Sequence, residues 1–172
     1  MIKYSYFLCL KPGMRNLILF AGFILFTSSV QAQVQRDTVL SRCPVRITDT
    51  VSVNNFFIEA RPATLKVYRV RGDLTIVIEQ RDQFFSLFFH EKRLRNTTYD
   101  IEPASKGRGS VETTYSFKSG DQVAYINVSS GTIQSSFDKE RKMWKLKVDG
   151  IITNLTDRTL TYYKAKAEFW VK

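Results

Sequence analysis

Cysteine and histidine are scarce in this sequence, with 2 Cys and 1 His in 172 residues. They are Cys9, Cys43 and His90. A zinc site needs several ligands, and these three residues could form such a site only if carboxylates supplied the remaining ligands. A nucleophilic Cys43 with His90 as its base has no local motif in support. We expect Cys43 to be inert or buried, and we expect no cofactor.

Long amphipathic helices, internal repeats and phosphate-binding glycine loops are also missing. The apolar run over residues 17–26 is far shorter than the about 20 residues of a membrane-spanning helix. It follows a basic segment at residues 14–16 and precedes small residues at 27–32, the order of a secretory signal peptide. The pattern predicts cleavage after Ala32, with Met14 as an alternative start and no transmembrane segment afterwards. We therefore expect an exported protein, periplasmic or extracellular.

The chain is basic, with a formal net charge of +10. Residues 1–32 contain Lys3, Lys11 and Arg15 and no acidic residue, so the remainder carries +7. A basic surface suits anionic surroundings such as lipopolysaccharide, acidic polysaccharide or nucleic acid. Lysine-rich exteriors also keep strand edges from pairing with other chains. We favour this second interpretation, and nucleic acid is not the expected partner.

Alternation of polar and apolar residues is the main positive signal, and it is clearest over residues 144–152 and 163–171. This period of two is typical of half-buried strands. We predict that each of these strands has one face exposed to solvent and one face buried in the core. Lysines 145, 147, 164 and 166 face water, and the interior receives Trp144, Leu146, Val148, Ala165 and Ala167.

These two runs predict an antiparallel hairpin, because turn-forming residues separate them. A loop of about four residues would place Trp144 opposite Phe169 and Leu146 opposite Ala167. A slip by one residue would bury the lysines, so the faces are strongly specified. A strand before residues 138–142 would complete a three-stranded meander.

Many short strands separated by turn signals indicate an all-β fold, an antiparallel β-sandwich or an open barrel. Residues 33–50 are interpreted as a polar leader or an edge strand through 45–47, and 51–172 as a single β domain. The segment 84–95 fits either a helix or a buried strand. Surrounding strands and aromatic density favour the strand.

Candidate catalytic groups do not stand out. Glycoside hydrolysis would need paired carboxylates across a cleft, and Asp73, Glu79, Glu91 and Asp100 are candidates without any distinguishing pattern. Each is expected to be a solvated charge at a strand end.

Exposed aromatic rings near lysines are the best candidate for a binding surface. By strand parity, Tyr68, Tyr162 and Trp170 face outward, near Lys164 and Lys166. Rings among cations can stack on sugars or bases. Cross-strand packing is the alternative interpretation of the same rings.

Three short stretches carry a resemblance to known proteins: residues 30–33 (VQAQ), 130–133 (SGTI) and 147–154 (KVDGIITN). In these the chain resembles small exported β-proteins of unknown function from Bacteroidetes. The resemblance implies a β-sandwich in the cell envelope or outside the cell, and it carries over no catalytic residue.

Together these observations favour an exported, non-enzymatic β-sandwich module that binds a cell-envelope component, a glycan or a protein partner. One alternative is a hydrolase or lyase acting on an anionic polymer, with carboxylates in a cleft. The other is a structural subunit whose exposed strand edge joins an envelope assembly.

Overall fold

The computed structural model describes residues 36–50, 56–57, 59–104, 107–156 and 159–172. The predicted signal peptide, residues 1–32, lies outside the described residues. The described part contains no helix that could span a bilayer. Its strands are β1 (Arg36–Leu40), β2 (Val45–Asp49), β3 (Ala63–Val70), β4 (Asp73–Gln80), β5 (Gln83–Phe89), β6 (Thr97–Ile101), β7 (Ser110–Ser119), β8 (Gln122–Asp138), β9 (Met143–Thr156) and β10 (Thr159–Val171).

These strands belong to one sheet with the order β1-β3-β4-β5-β7-β6-β8-β9-β10-β2. The predicted all-β class is confirmed. Neighbouring strands are antiparallel except β6 and β7, which run parallel over Asp100↔Ser110 and Ile101↔Val111. Because the strands form a single sheet curled into a half-barrel, the open barrel is the closer of the two predicted architectures.

The connection between β1 and β2 shows how strongly the sheet curls. These strands occupy opposite edges of the sheet, and a flat sheet of this size would hold its edges about 43 Å apart at about 4.8 Å per strand. The chain from Leu40 to Val45 can span at most about 18 Å. The sheet must therefore bend around one interior, in the direction that strand twist favours.

The interior contains the hydrophobic core, and β5 illustrates how the sequence fills it. Phe85, Leu87 and Phe89 are completely buried, whereas Phe84 and Phe88 are partly exposed on the other face. This alternation confirms the strand interpretation for residues 84–89, whereas residues 90–95 belong to neither a strand nor a helix. In the segment 33–50, the described residues include the two edge strands β1 and β2.

The C-terminal strands β8, β9 and β10 are consecutive antiparallel neighbours, as the predicted meander requires. The turn between β8 and β9 is fixed by Asp138, whose Oδ1 accepts hydrogen bonds from the backbone N–H groups of Glu140 and Arg141 at 2.9 and 3.0 Å. The predicted faces are also observed. Leu146, Val148, Ala165 and Ala167 are buried, Trp144 is partly buried against the core, Lys145 is partly exposed, and Lys147, Lys164 and Lys166 are exposed.

The predicted register of β9 and β10 is wrong by two residues. Trp144 lies opposite Val171, and Phe169 lies opposite Leu146. The reason is that β9 continues to Thr156 and β10 begins at Thr159, which shortens the predicted connection. A shift of two keeps every side chain on its predicted face.

The observed register also improves the pairing of charges on the outer face. Lys147 lies opposite Glu168, whereas the predicted register placed it opposite Lys166. Lys166 instead faces Asp149, with 3.6 Å between Nζ and Oδ2. Opposite charges replace the like-charged pair, and such cross-strand pairs contribute roughly 0.2–1 kcal/mol each.

Strand β8 is long because it serves two neighbours. Its first part pairs with β7, from Gln122 opposite Ser119 to Asn127 opposite Thr114. Its later part pairs with β6 over Thr132–Ser135. The end of β7 and the start of β8 therefore form one continuous wall at one end of the sheet.

Candidate functional site

A cavity of about 520 Å³ lies at this end of the curled sheet. Its volume is within the range of about 300–1,000 Å³ typical of small-molecule sites. It is lined by residues of β2, β5, β7, β8, β9 and β10, by the β4–β5 turn and by Phe56. The lining residues are Ile47, Phe56, Arg81, Asp82, Gln83, Tyr115, Phe117, Lys118, Ile126, Ile152, Asn154 and Tyr163.

Strand alternation turns the side chains of the lining strand residues inward, except that of Lys118, which pairs with Val123 and lies on the outer face of β7. Tyr115 and Phe117 continue the inner face that begins at Val111 and Thr113 in β7, and Ile126 shares its face with Val128 in β8. Because adjacent strands end at the same edge, their last inward residues converge. The cavity is thus the open end of the core.

The aromatic side chains of the cavity hold one another in place. The rings of Phe56 and Tyr163 meet edge to face at a centroid distance of 5.2 Å. Tyr115 lies 5.6 Å from Phe117 and 5.7 Å from the buried Phe57. The backbone N–H of Phe56 donates to the carbonyl of Ile47 at 3.1 Å, which anchors this aromatic group to β2. Such contacts give a preformed apolar wall.

A polar pair lies within the aromatic wall. The Tyr115 hydroxyl donates to Gln83 Oε1 at 2.9 Å. Burial raises the pKa of Tyr115 to about 12, so the phenol is neutral at physiological pH. A neutral phenol and an amide can bond a polar group of a ligand without placing a charge in the cavity.

Charged groups are confined to the rim. Arg81 and Asp82 form the turn between β4 and β5, and Lys118 lies near the end of β7. The Lys118 backbone N–H donates to the Asp82 carbonyl at 2.8 Å, which fixes the turn against β7. Among the described residues, neither Arg81 nor Lys118 has an acidic side-chain partner. The rim therefore carries Arg81 and Asp82, of opposite charge, whereas strand alternation places the Lys118 side chain on the outer face of β7.

A second, more polar depression of about 470 Å³ lies near the start of β2. Its carboxylates are already paired: Glu59 with Arg46, Asp149 with Lys166, and Glu168 with Lys145. The Lys145 ammonium lowers the pKa of Glu168 through a hydrogen bond and its charge. A general acid needs a raised carboxyl pKa, so Glu168 is poorly suited to act as one.

Cys43 and His90 are not joined by a contact among the described residues. Cys43 is buried beside the carbonyl of Val45, and burial raises the pKa of its thiol. His90 lies between two carboxylates. Its Nδ1 is 3.6 Å from Asp73 Oδ2, and its Nε2 is 3.5 Å from Glu112 Oε1. The described chain also contains no group of three or more His, Cys, Asp or Glu side chains placed to hold a metal.

The carboxylates considered from the sequence lie away from the cavity. Glu79 pairs with Lys66, Glu91 pairs with Arg95, and Asp73 contacts His90. Asp100 is exposed on β6. None of these four carboxylates lines the cavity, and among the described lining residues the only carboxylate is Asp82.

The predicted binding surface is divided between two places. Tyr162, Lys164, Lys166 and Trp170 share the outer face of β10, whereas Tyr68 lies on β3, which is not a neighbour of β10. The Trp170 ring contacts cations: the Arg141 guanidinium carbon lies 4.7 Å and Lys145 Nζ 5.8 Å from its centroid. Binding on this outer face stays a prediction.

Sequence reasoning missed the cavity. The available signal is that Gln83 and Asn154 occupy strand positions that face the interior, where a filled core would be apolar. Comparisons with family models, curated proteins and solved structures give no match for the chain. The cavity is therefore the feature from which a function is inferred.

Proposed function

We propose that this chain is an exported, non-enzymatic binding module and that its ligand site is the cavity at the open end of the curled sheet. The observation that carries the proposal is the composition of that cavity: an aromatic and aliphatic wall, a few inward polar groups and a charged rim. This is the usual constitution of small-molecule sites. The export component rests on the signal-like pattern of residues 14–32 and on the resemblance to exported β-proteins.

The chemistry of the lining favours binding over hydrolysis. Among the described residues that line the cavity, Asp82 is the only carboxylate, and it lies on the rim. Hydrolysis of a glycosidic bond uses paired carboxylates on either side of the bond. The apolar wall instead suits the hydrophobic portion of an envelope component. Burial of that portion would stabilise the complex by about 25 cal/mol per Å² of apolar surface removed from water.

The position of β1 at an edge of the sheet supports a second candidate function, a subunit of an envelope assembly. Among the described strands, β1 pairs only with β3. An extended segment of another chain could pair with its other edge. Sedimentation equilibrium tests this candidate, because assembly predicts a mass that rises with concentration, and a strict monomer contradicts it.

The cavity is tested with the uncharged fluorescent probe N-phenyl-1-naphthylamine. We expect saturable binding with a fluorescence increase. Ile126→Trp places a bulky ring in the cavity, since Ile126 lines it, and should reduce probe affinity at least about tenfold by occupying its volume.

Tyr125→Trp is the matched control, because Tyr125 precedes Ile126 on β8 and is 72% exposed on the opposite face. It should leave probe binding unchanged. Phe56→Ala removes one ring of the aromatic lining and should also weaken binding. Because Phe56 is 40% exposed, this change carries little risk to folding. Equal affinities for all these variants would place the probe elsewhere and refute the proposed site.

A further inference from the structure

We propose a second binding site, for an uncharged oligosaccharide, on the outer face of the sheet formed by β3, β4, β5, β7 and the start of β8. Four aromatic residues carry the inference: Tyr68 of β3, Phe84 and Phe88 of β5, and Tyr125 of β8. The site goes beyond the proposed function, because none of these residues lines the cavity.

The strand registers arrange the rings in two rows. Tyr68 and Phe88 lie in one row across β3, β4 and β5, because both are opposite Thr75. Phe84 and Tyr125 lie in a second row across β5, β7 and β8. Rings within a row are two strands apart, about 10 Å, and the rows are separated by the distance from Phe84 to Phe88 along β5, about 13 Å. This spacing suits successive units of one extended ligand.

The rings are accessible to a ligand. Tyr125 is 72% exposed, and Tyr68, Phe84 and Phe88 are partly exposed. The Phe88 ring meets His90 edge to face at a centroid distance of 4.9 Å, which helps to fix its orientation. Every described strand belongs to the one sheet, so none of these strands packs on the outer face. Exposed aromatic surface grouped in this way is typical of an interaction site.

Polar side chains lie between the two rows of rings. Ser86 is opposite Thr114, and Thr114 is opposite Asn127. The Thr114 hydroxyl donates to Asn127 Oδ1 at 3.2 Å. Among the described residues, the Ser86 hydroxyl and the Asn127 NH2 group have no hydrogen-bond partner. Both groups are therefore available to bond the hydroxyl groups of a ligand.

The combination of rings and polar groups fits a sugar. A pyranose has C–H groups that stack on aromatic rings, and hydroxyl groups around its edge that form hydrogen bonds. The apolar surface of a protein partner, including a second copy of this chain, would instead bury the Ser86 and Asn127 groups without partners. Such burial is unfavourable.

The charges around the rings favour an uncharged sugar over an acidic one. The charged residues that adjoin the rows on this face are Lys66, Asp73, Glu79, Glu112 and Lys118. Carboxylates therefore outnumber cations here, although the chain is basic overall. Lys66 is already paired with Glu79. An acidic sugar would meet net repulsion, so the face is complementary to an uncharged one.

Isothermal titration calorimetry with oligosaccharides tests the inference. The probes are the uncharged hexasaccharides cellohexaose, xylohexaose and mannohexaose, with hexagalacturonate as the acidic counterpart. We expect at least one uncharged probe to bind at least about fivefold more tightly than hexagalacturonate at about 0.15 M salt, where attraction to the basic chain is screened beyond about 8 Å.

Two variants assign the binding to this face. Tyr125→Ala removes an exposed ring and should weaken binding of the uncharged probe at least about fivefold, as expected for a lost stacking partner. Asn127→Ala removes the amide between the rows and should weaken binding about threefold through the lost hydrogen bond.

Tyr162→Ala is the matched control. Tyr162 is also an exposed tyrosine, at 45%, but it lies on the outer face of β10. This variant should leave the affinity unchanged. Equal losses in Tyr162→Ala and Tyr125→Ala would overturn the assignment to the face that contains Tyr125.

The outcomes separate this site from the cavity. Ile126→Trp should leave oligosaccharide binding unchanged, because Ile126 lines the cavity on the opposite side of β8 from Tyr125. Failure of all the uncharged probes to bind, or tighter binding of hexagalacturonate, would overturn this inference without affecting the proposed cavity. A dimer that forms with rising concentration and is lost in Tyr125→Ala would assign the face to a second copy of the chain and also overturn the inference. Circular dichroism of each variant confirms that a lost affinity does not reflect a lost fold.

Discussion

Gly131 of β8 lies directly opposite Gly150 of β9, at a place where the two backbones approach too closely for a side chain. A Cβ added to Gly131 would lie 2.3 Å from the carbonyl oxygen of Asp149. Gly131 has a φ of 141°, which residues with a Cβ rarely adopt. The pair follows the irregularity between Val128 and Ser130, where β8 changes its pairing. The glycines therefore permit the long strand to bend into the curled sheet.

We expect Gly131→Ala to destabilise the fold by at least about 2 kcal/mol, because the added methyl group meets rigid backbone at a left-handed position. Gly150→Ala should cost less. The nearest atom to its added Cβ is Val128 Cγ1 at 2.7 Å, part of a side chain that can move. Urea unfolding of both variants measures the difference, and a larger cost at Gly150 would contradict the described geometry.

The register of β9 and β10 is open to a cross-linking test. Lys147 lies opposite Glu168, so Lys147→Cys with Glu168→Cys should form a disulfide, since facing Cα atoms are about 4.5–5.5 Å apart. Lys147→Cys with Lys166→Cys should not, because diagonal neighbours are about 7–8 Å apart. Cys9 and Cys43 are replaced by alanine in both proteins. Non-reducing mass spectrometry detects the bond, and the reverse result would favour the register expected from the sequence.

Alternation of polar and apolar residues determines the faces of a strand but not its register. The faces of Leu146 and Lys147 follow from parity alone, because one face must be buried. Parity is the same for registers that differ by two residues, so it could not choose between Glu168 and Lys166 as the partner of Lys147. That choice depends on where β10 begins, and turn composition alone did not locate it.

The candidate site was less predictable than the fold for a related reason. Tyr115 and Gln83 are 32 residues apart in sequence, and their hydrogen bond depends on the pairing of β5 with β7. A sequence pattern assigns each to a face of its own strand. It does not show that the sheet stays open at that end. The outward rings, such as Tyr162 and Trp170, were therefore the only binding candidates that parity could identify.

The burial pattern of β5 predicts unequal costs for two adjacent phenylalanines. Phe85 is fully buried, and Phe84 faces the partly exposed outer side. Phe85→Ala should cost about 3–5 kcal/mol, the usual range for a buried phenylalanine, and Phe84→Ala less than half as much. Chemical denaturation measures both variants. Equal costs would contradict the strand geometry and revive the helical interpretation of residues 84–95.

Two buried tyrosines give the fold a dependence on alkaline pH. Tyr99 is completely buried and accepts a hydrogen bond from the Arg95 backbone N–H at 3.0 Å. Burial, with a smaller contribution from Glu91, raises the pKa of Tyr99 from 10.0 to about 12, and burial does the same for Tyr115. The folded state therefore favours the neutral phenols at a pH where the unfolded chain would ionise them.

We expect stability to fall as the pH rises from 10 to 12, the interval between the unfolded and folded pKa values of Tyr99 and Tyr115. Below pH 10 both states keep these protons, so this contribution is fully present. Above it the unfolded state binds fewer protons, and each phenol should cost on the order of 2 kcal/mol. Urea midpoints at pH 9.5, 10.5 and 11.5 measure the loss.

Tyr115→Phe should lower stability at neutral pH by about 1 kcal/mol through the lost bond to Gln83, yet reduce the alkaline loss by about half. An alkaline loss as large in Tyr115→Phe as in the unchanged protein would show that Tyr115 ionises as readily folded as unfolded.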